Sequence, residues 1–337
     1  MDASTFSTRW HGSLRPTGLA FLVLLLTGVS SRGASNPADD TERMRKAQQA
    51  LEKTMALYDR VYAKFSSEAI RVSGAGTKAE YEWWRDGDNI RATRKILNPP
   101  GEEPATWNDE HALREGVLTT VTQVEFWRKD LHRPEDREHA NLQSGDRKKF
   151  PGGDLWNATL LSACDSLGLW KDFWALSTYE HQPASALRGF DGPGIESRRK
   201  QDPPHTLIVY LDPAHDYLPR RKLAYNYPGR FDPNKRHAEL EVVDYFTRAE
   251  GLPSAFPKKI RARFYGEGGA SRPPNIEATY TISCVRVPDS MPAAVFRIKI
   301  PEGYPVVDFI MAKHYIMGPD GEPNPGTLRD LPARLRR

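Results

Sequence analysis

The chain has 337 residues, of which 48 are Lys or Arg and 44 are Asp or Glu, so its formal net charge is +4. Because the two signs nearly balance, the composition does not suggest a nucleic-acid partner. The two cysteines, Cys164 and Cys284, could pair in an oxidising compartment, and a buried free thiol at Cys284 is equally compatible with the sequence.

Residues 1–35 have the three parts of a secretory signal peptide. Arg9 and Arg15 precede the apolar run 19–26, and small residues follow at 31–35. A bilayer takes about 20 apolar residues to span, so this run is too short for a permanent anchor. We therefore expect cleavage and export to a periplasm or the extracellular space, with no transmembrane segment in the mature chain.

The stretch Asp39–Phe65 is predicted to form one long amphipathic helix. Asp39 and Glu42 have the spacing of a capping box. Apolar residues recur at spacings of three or four, which is the helical period; they are Met44, Ala47, Leu51, Met55, Tyr58, Tyr62 and Phe65.

Strands dominate the rest of the chain. Residues 79–96 read as a hairpin around Asp86-Gly87-Asp88-Asn89, since Asp-Gly between strand-like runs is a strong turn signal. The alternation of apolar and polar residues in 276–284 indicates a half-buried strand. Further strands are predicted at 117–127, 206–211, 220–227, 240–247, 258–265 and 295–300.

Residues 129–205 read as an insertion into this strand series. Residues 129–149 are almost wholly polar and are predicted as loop, and residues 189–204 are rich in Gly and Pro and are predicted as a mobile loop. Between them, 155–176 has a helical period. The expected organisation is a signal peptide over 1–35, one domain over 36–310 with this insertion, and a C-terminal extension over 311–337.

These elements together predict an α+β fold. We expect a half-open, curved antiparallel β-sheet, an unclosed β-barrel, with a long N-terminal helix and a helical lid or insertion. A helix on the concave side would cover one face of the sheet and leave the other in water.

Motifs that carry chemistry are weak. His132, Glu135 and His139 have offsets that would share a helix face, but Pro134 and a polar setting argue against the stiff frame a metal needs. The chain has no Gly-x-Ser-x-Gly elbow and no glycine-rich phosphate loop. We expect no metal, no cofactor and no catalytic residue.

Aromatic residues form two clusters in the sequence. Tyr81, Trp83, Trp170, Phe173 and Trp174 are candidates to line an apolar cavity between the sheet and its covering helices. Ordinary core packing is the alternative, because aromatic residues dominate cores in general. No polar anchor for a ligand can be assigned from the sequence.

Several segments resemble the LolA-like superfamily of periplasmic lipoprotein carriers. They are the helix at 41–65, the turn YEWWRDGDNIR at 81–91, the hairpin segment YLDPAHDYLPR at 210–220, the pair VDYF at 243–246 and FPKKI at 256–260, and FRIKIPEGYPVVD at 296–308. The resemblance implies an unclosed β-barrel with a helical lid, an apolar cavity for acyl chains and no catalytic residues.

The expected function is that of an exported, non-enzymatic binding protein. Its ligand would be an acyl chain, a lipid or a lipidated protein, held in the cavity between curved sheet and helices. One alternative is a periplasmic protein-interaction or sensor domain without a ligand cavity. Another is a hydrolase that uses the insertion at 129–205.

Overall fold

The computed structural model describes residues 37–72, 76–97, 106–124, 138–145, 179–184, 187, 190–199, 206–225, 236–266 and 269–332. In these ranges the chain forms one α-helix, α1 (Pro37–Leu57), and sixteen strands. The strands are β1 (Arg60–Arg71), β2 (Gly76–Asp86), β3 (Asn89–Leu97), β4 (Thr106–Arg114), β5 (Val117–Val124), β6 (Glu138–Ser144), β7 (Tyr179–Pro183), β8 (Gly194–Arg199), β9 (Thr206–Asp212), β10 (Leu218–Tyr225), β11 (Arg236–Phe246), β12 (Phe256–Phe264), β13 (Ile276–Arg286), β14 (Pro305–Asp308), β15 (Lys313–Ile316) and β16 (Arg329–Asp330).

All sixteen strands belong to one large curved sheet that does not close. Its order is β16-β15-β14-β6-β5-β4-β3-β2-β1-β13-β12-β11-β10-β9-β8-β7, with β16 and β7 at the edges. Neighbours pair antiparallel except β14 and β6, which are parallel. The long pairing of β1 with β13 joins the N-terminal hairpins to the C-terminal ones.

The predicted helix Asp39–Phe65 is wrong beyond Leu57. From Arg60 onward the buried positions alternate, which is the period of a strand rather than of a helix. Tyr58 follows the last helical residue, and its hydroxyl donates to the backbone oxygen of Ser254 at 2.7 Å, which ties this point of the chain to the C-terminal half. The expected capping box also differs, since the Glu42 carboxylate accepts from the Arg45 guanidinium at 2.7 and 2.8 Å.

The two faces of the sheet have different neighbours. We call the face that contacts α1 the inner face. Ala47 and Leu51 of α1 are buried there, in one apolar cluster with residues of eleven neighbouring strands from β5 to β8. On the opposite, outer face, a smaller cluster joins β5 and β6 to the C-terminal segment around Tyr304 and Val306. This asymmetry leaves the inner face as the main apolar surface of the fold.

The predicted hairpin at 79–96 is confirmed as β2 and β3. Asp86 pairs with Asn89, so Gly87 and Asp88 form a two-residue turn, and Gly87 has φ +59°. Positive φ is costly for most residues and is accessible to glycine. The predicted strands at 117–127, 206–211, 220–227, 240–247, 258–265 and 276–284 are likewise present as β5, β9, β10, β11, β12 and β13.

Two predicted loops contain strands instead. The polar stretch 129–149 includes β6, which is held by β5 on one side and β14 on the other rather than by an apolar pattern. The stretch 189–204, predicted to be mobile, includes β8. There, a Cβ at Gly194 would lie 2.7 Å from the Tyr210 ring, so the glycine permits a close approach between strands.

The C-terminal part also differs from the prediction. The strand expected at 295–300 is absent; Ala293–Phe296 forms a 3₁₀ turn, and Phe296 and Ile300 bury their side chains without pairing in the sheet. The expected extension at 311–337 contributes β15 and β16 to the same sheet. The predicted helix 155–176 lies outside the described residues. No helix in the described ranges is long and apolar enough to cross a membrane.

Candidate functional site

Two of the five predicted cavity residues lie on β2 and face inward. Trp83 is only 5% exposed and is part of the inner-face cluster. Tyr81 is half-buried; its ring stacks on Phe65 with centroids 4.6 Å apart, and its hydroxyl lies 3.3 Å from that of Ser67. Trp170, Phe173 and Trp174 lie outside the described residues. The structure therefore places Trp83 within packed core and Tyr81 at its half-open margin.

The inner face continues as an apolar floor across β8 to β13. Val209 and Leu240 are buried there, and Leu207 and Phe264 are half-buried and pack against the core cluster. Small side chains occupy many neighbouring positions; they are Ala69, Ala224, Ala238, Ala262 and Ala278. Small residues on a sheet surface let whatever packs above them approach the backbone closely, and Ala238, Ala262 and Ala278 are buried.

A cation, Lys222, lies within the apolar floor. Lys222 on β10 pairs in register with Val209 on β9 and Leu240 on β11, which places its side chain on the inner face. Part of the side chain remains in contact with solvent, yet burial lowers the pKa of the Lys222 ammonium to about 8. Among the described residues it makes no salt bridge. An amine in this setting is still mostly charged at neutral pH.

A second polar group on the inner face is the pair Arg94–Asp109. The Arg94 guanidinium donates to Oδ2 of Asp109 from Nε at 3.0 Å and also from Nη2. The hydroxyl of Thr122 donates to Oδ1 of Asp109 at 3.1 Å. The Asp109 carboxylate is buried and already accepts from two side chains, so this arrangement fixes β3, β4 and β5 together.

His111 extends this polar patch along β4. Its Nδ1 lies 3.2 Å from the hydroxyl of Thr120 on β5. Burial is the main cause that lowers the pKa of His111 to about 4; the Asp109 carboxylate opposes the shift and the Arg94 guanidinium adds to it. His111 is therefore neutral at physiological pH, and it supplies no positive charge to a ligand.

The outer face carries a separate cavity of about 410 Å³ over β1 to β5. Its lining is mainly polar and includes both charge signs. Lys64 and Glu82 in this lining pair with each other at 3.2 Å, and Glu110 pairs with Arg91 at 3.1 Å. Because these charges compensate one another, the cavity offers no strong preference for a charged ligand.

The histidines His139 and His215 lie within a strand and a turn of the fold. His139 lies on β6 opposite Thr122, whereas His132 and Glu135 are outside the described residues. In the described ranges, no three His, Cys, Asp or Glu side chains are grouped to hold a metal ion. His215 Nδ1 lies 2.9 Å from the Asp212 carboxylate, whose other oxygen caps the following 3₁₀ turn. This pair shapes the β9–β10 connection.

Sequence reasoning missed Lys222, Arg94, Asp109 and His111. Lys222 falls in a correctly predicted strand, but its neighbours Leu223 and Tyr225 look like the buried side, and they do pack in a cluster on the outer face. Because residues of β10 join apolar clusters on both faces, alternation alone does not identify the inner face. Asp109 and His111 lie on β4, a strand that the sequence analysis did not predict.

No protein-family model and no curated protein matches the chain. Among solved structures, it is similar to the LolA superfamily protein NE2245 from Nitrosomonas europaea, with 12% identity, 75% of this chain and 97% of that chain covered, and a TM-score of 0.43. LprF from Mycobacterium bovis has 12% identity, coverage of 74% and 96%, and a TM-score of 0.26. MucB, solved in complex with MucA(peri), has 10% identity, coverage of 76% and 100%, and a TM-score of 0.20.

The first of these structures belongs to the superfamily that the sequence motifs resemble. At such TM-scores the similarities carry no argument about ligand or activity. The functional account therefore depends on the residues of this chain.

Proposed function

We propose that this chain is an exported, non-enzymatic binding protein that holds an apolar ligand against the inner face of its open sheet. The ligand class is an acyl chain, carried by a lipid or a lipidated protein. The observation that supports this most directly is the difference in size between the apolar inner face and α1, the one α-helix in the described ranges.

This difference follows from the dimensions of the elements. The inner-face cluster draws residues from eleven neighbouring strands, and at about 4.8 Å per strand these span about 48 Å. With its side chains, α1 is about 10 Å wide, and its 21 residues give a length of about 32 Å. A helix of that size covers only part of the face, and Leu207, Tyr81 and Phe264 on that face are half-buried.

We further propose that the long N-terminal helix α1 and the predicted helix 155–176 act as the covers of the binding space. Trp170, Phe173 and Trp174 of that helix would then face Tyr81 across the cavity. The signal peptide predicted at 1–35 would deliver the protein to the periplasm or the extracellular space, where lipids and lipoproteins are exchanged between membranes.

Two alternatives make different demands on the chain. An interaction domain would place the half-buried Leu207 and Phe264 against a partner protein, and binding of an acyl probe distinguishes it from the proposed function. A hydrolase would need an activated nucleophile. The acid–histidine pair at Asp212 and His215 is instead committed to a turn, and the neutral His111 contacts a threonine on a neighbouring strand.

Binding of a fluorescent fatty-acid probe tests the proposal. The variant Leu207→Glu puts a charge on the inner face of β9, and Thr206→Glu puts the same charge on the outer face one residue earlier. We expect the unmodified chain and Thr206→Glu to bind the probe and Leu207→Glu to lose binding while remaining folded by circular dichroism. Equal binding by both variants would contradict an inner-face site.

A further inference from the structure

Lys222 has a specific place relative to the apolar floor. Pairing in register on both sides puts it in a row with Ile195 and Val209 towards one edge, and with Leu240 and Ala262 towards the other. Of these neighbours, Ile195, Val209, Leu240 and Ala262 are all at most 4% exposed. A lysine thus occupies a position where every register neighbour is apolar and buried.

Among the described residues of the neighbouring strands, Glu196 and Glu239 lie on the other face. Glu239 is buried on the outer face and binds Arg221 and Arg236, the latter at 3.1 Å. Glu196, on β8, pairs with Arg198 at 2.5 Å. The neighbours of Lys222 on the inner side of its own strand are Ala224 and Arg220, and Arg220 packs over the ring of Tyr245 at 5.7 Å. The carboxylates of Glu239 and Glu196 are therefore committed to arginines on the face opposite Lys222.

A partly desolvated ammonium with no salt bridge among the described residues is unfavourable, and such groups are often found where a ligand or a reaction needs them. The ammonium of lysine is a compact point charge with three donors, suited to a small anion rather than to a bidentate fork. Its long stem also packs along apolar surface. A ligand that combines an alkyl chain with a single anionic head group would pack its chain on the apolar floor and pair its head group with the Lys222 ammonium.

We propose that Lys222 binds the carboxylate of a fatty-acid-type ligand whose alkyl chain lies along the inner face over the alanine-rich floor. This inference rests on the proposed function and adds to it the ligand's head group and the residue that selects it. Lys222 is a specificity-determining residue in this account, because it separates anionic acyl ligands from neutral ones of the same chain length.

The test compares oleate with its neutral methyl ester as competitors of a fluorescent fatty-acid probe on the full chain. The variant is Lys222→Met, which keeps the length of the side chain and removes its charge. The matched control is Lys64→Met, a lysine on the outer face of β1 that pairs with Glu82. Lys222→Arg restores a positive charge at the same position. Circular dichroism and urea unfolding establish that each variant is folded.

We expect the unmodified chain to prefer oleate over the ester. Lys222→Met should weaken oleate binding by about tenfold or more, the range of one lost charge-assisted hydrogen bond, and leave the ester within about twofold. Lys64→Met should change neither, and Lys222→Arg should retain part of the preference. Because Lys222→Met removes a desolvated charge, it should not lower the urea midpoint of the ligand-free chain.

The test distinguishes failure of the head-group assignment from failure of the proposed function. If the unmodified chain binds oleate and the ester equally, and Lys222→Met changes neither, the head-group assignment is wrong while an inner-face acyl site stands. If the unmodified chain binds neither ligand nor the probe, the proposed function fails and the assignment of Lys222 fails with it.

Discussion

Truncation of Trp83 and of Tyr81 should have different consequences, although the two side chains are two residues apart on the same face of β2. Trp83 is 5% exposed within the main cluster, and removal of a large core aromatic costs about 3–5 kcal/mol of unfolding free energy. Tyr81 is half-buried. Truncation of Tyr81 removes its stacking on Phe65, worth about 0.5–1.5 kcal/mol, and the contact of its hydroxyl with Ser67, worth about as much.

We therefore expect Trp83→Ala to lower the free energy of unfolding by about 3–5 kcal/mol and Tyr81→Ala by about 1–3 kcal/mol. Urea unfolding followed by far-ultraviolet circular dichroism measures both, and Tyr81→Phe isolates the hydroxyl. Fatty-acid probe binding is measured on the same samples under conditions in which each variant is folded. Tyr81→Ala should weaken binding of the probe although it is the less destabilising of the two substitutions, because Tyr81 is half-buried at the edge of the core cluster.

The reasoning would be refuted by the reverse pattern. A loss below about 1 kcal/mol for Trp83→Ala would mean that its indole is not part of the core. A large loss of stability in both variants with unchanged probe binding would mean that Tyr81 is also part of the core. The proposed binding space on the inner face would then not extend to β2.

Three further predictions concern stability. Asp109→Ala should lower the unfolding free energy by about 3–5 kcal/mol in urea titrations, because it strands the partly buried Arg94; a loss below about 1 kcal/mol would show that the pair is not buried in solution. Since the pKa of His111 is about 4 in the folded chain and near 6.5 when unfolded, its neutral ring contributes fully above pH 6.5, and that stability is lost as pH falls towards 4. Between pH 7 and pH 5 the unfolding free energy of His111→Gln should thus fall less than that of the unmodified chain, and parallel curves would exclude a buried neutral His111. Glu115 has φ +53° in the two-residue turn before Gly116, so Glu115→Asn should raise the free energy of unfolding by about 0.5–1 kcal/mol; a decrease would show that its exposed contact with Arg114 outweighs the backbone strain.

Local signals in the sequence predicted the regular hairpins well. The Asp-Gly turn at 86–89 and the strict alternation of 276–284 are encoded by neighbouring residues, and both appear as predicted. The chain from Tyr58 to Phe65 was assigned to the helix because Tyr58, Tyr62 and Phe65 fit a period of three to four. Tyr58, the residue after the helix, contacts Ser254, 196 positions away in sequence, and no local pattern contains this tertiary contact.

The missed strands depend on partners that are distant in sequence. Ala140 of β6 is fully buried between β5 and a parallel β14, although its own segment is mostly polar. Gly194 belongs to β8 because the Tyr210 ring needs the space that a side chain would fill. Lys222 was missed for a related reason, since its position is recognisable only when the strands that flank β10 are known.

The central claim is that the inner face holds an acyl ligand. Its most direct test is native mass spectrometry, with organic extraction, of the protein purified from its own host without denaturation. The account predicts a bound species that leaves on extraction and proves to be an acyl amphiphile or a lipidated protein. A clean ligand-free mass, together with no displaceable fatty-acid probe, would contradict it and favour an interaction domain whose apolar face is only core.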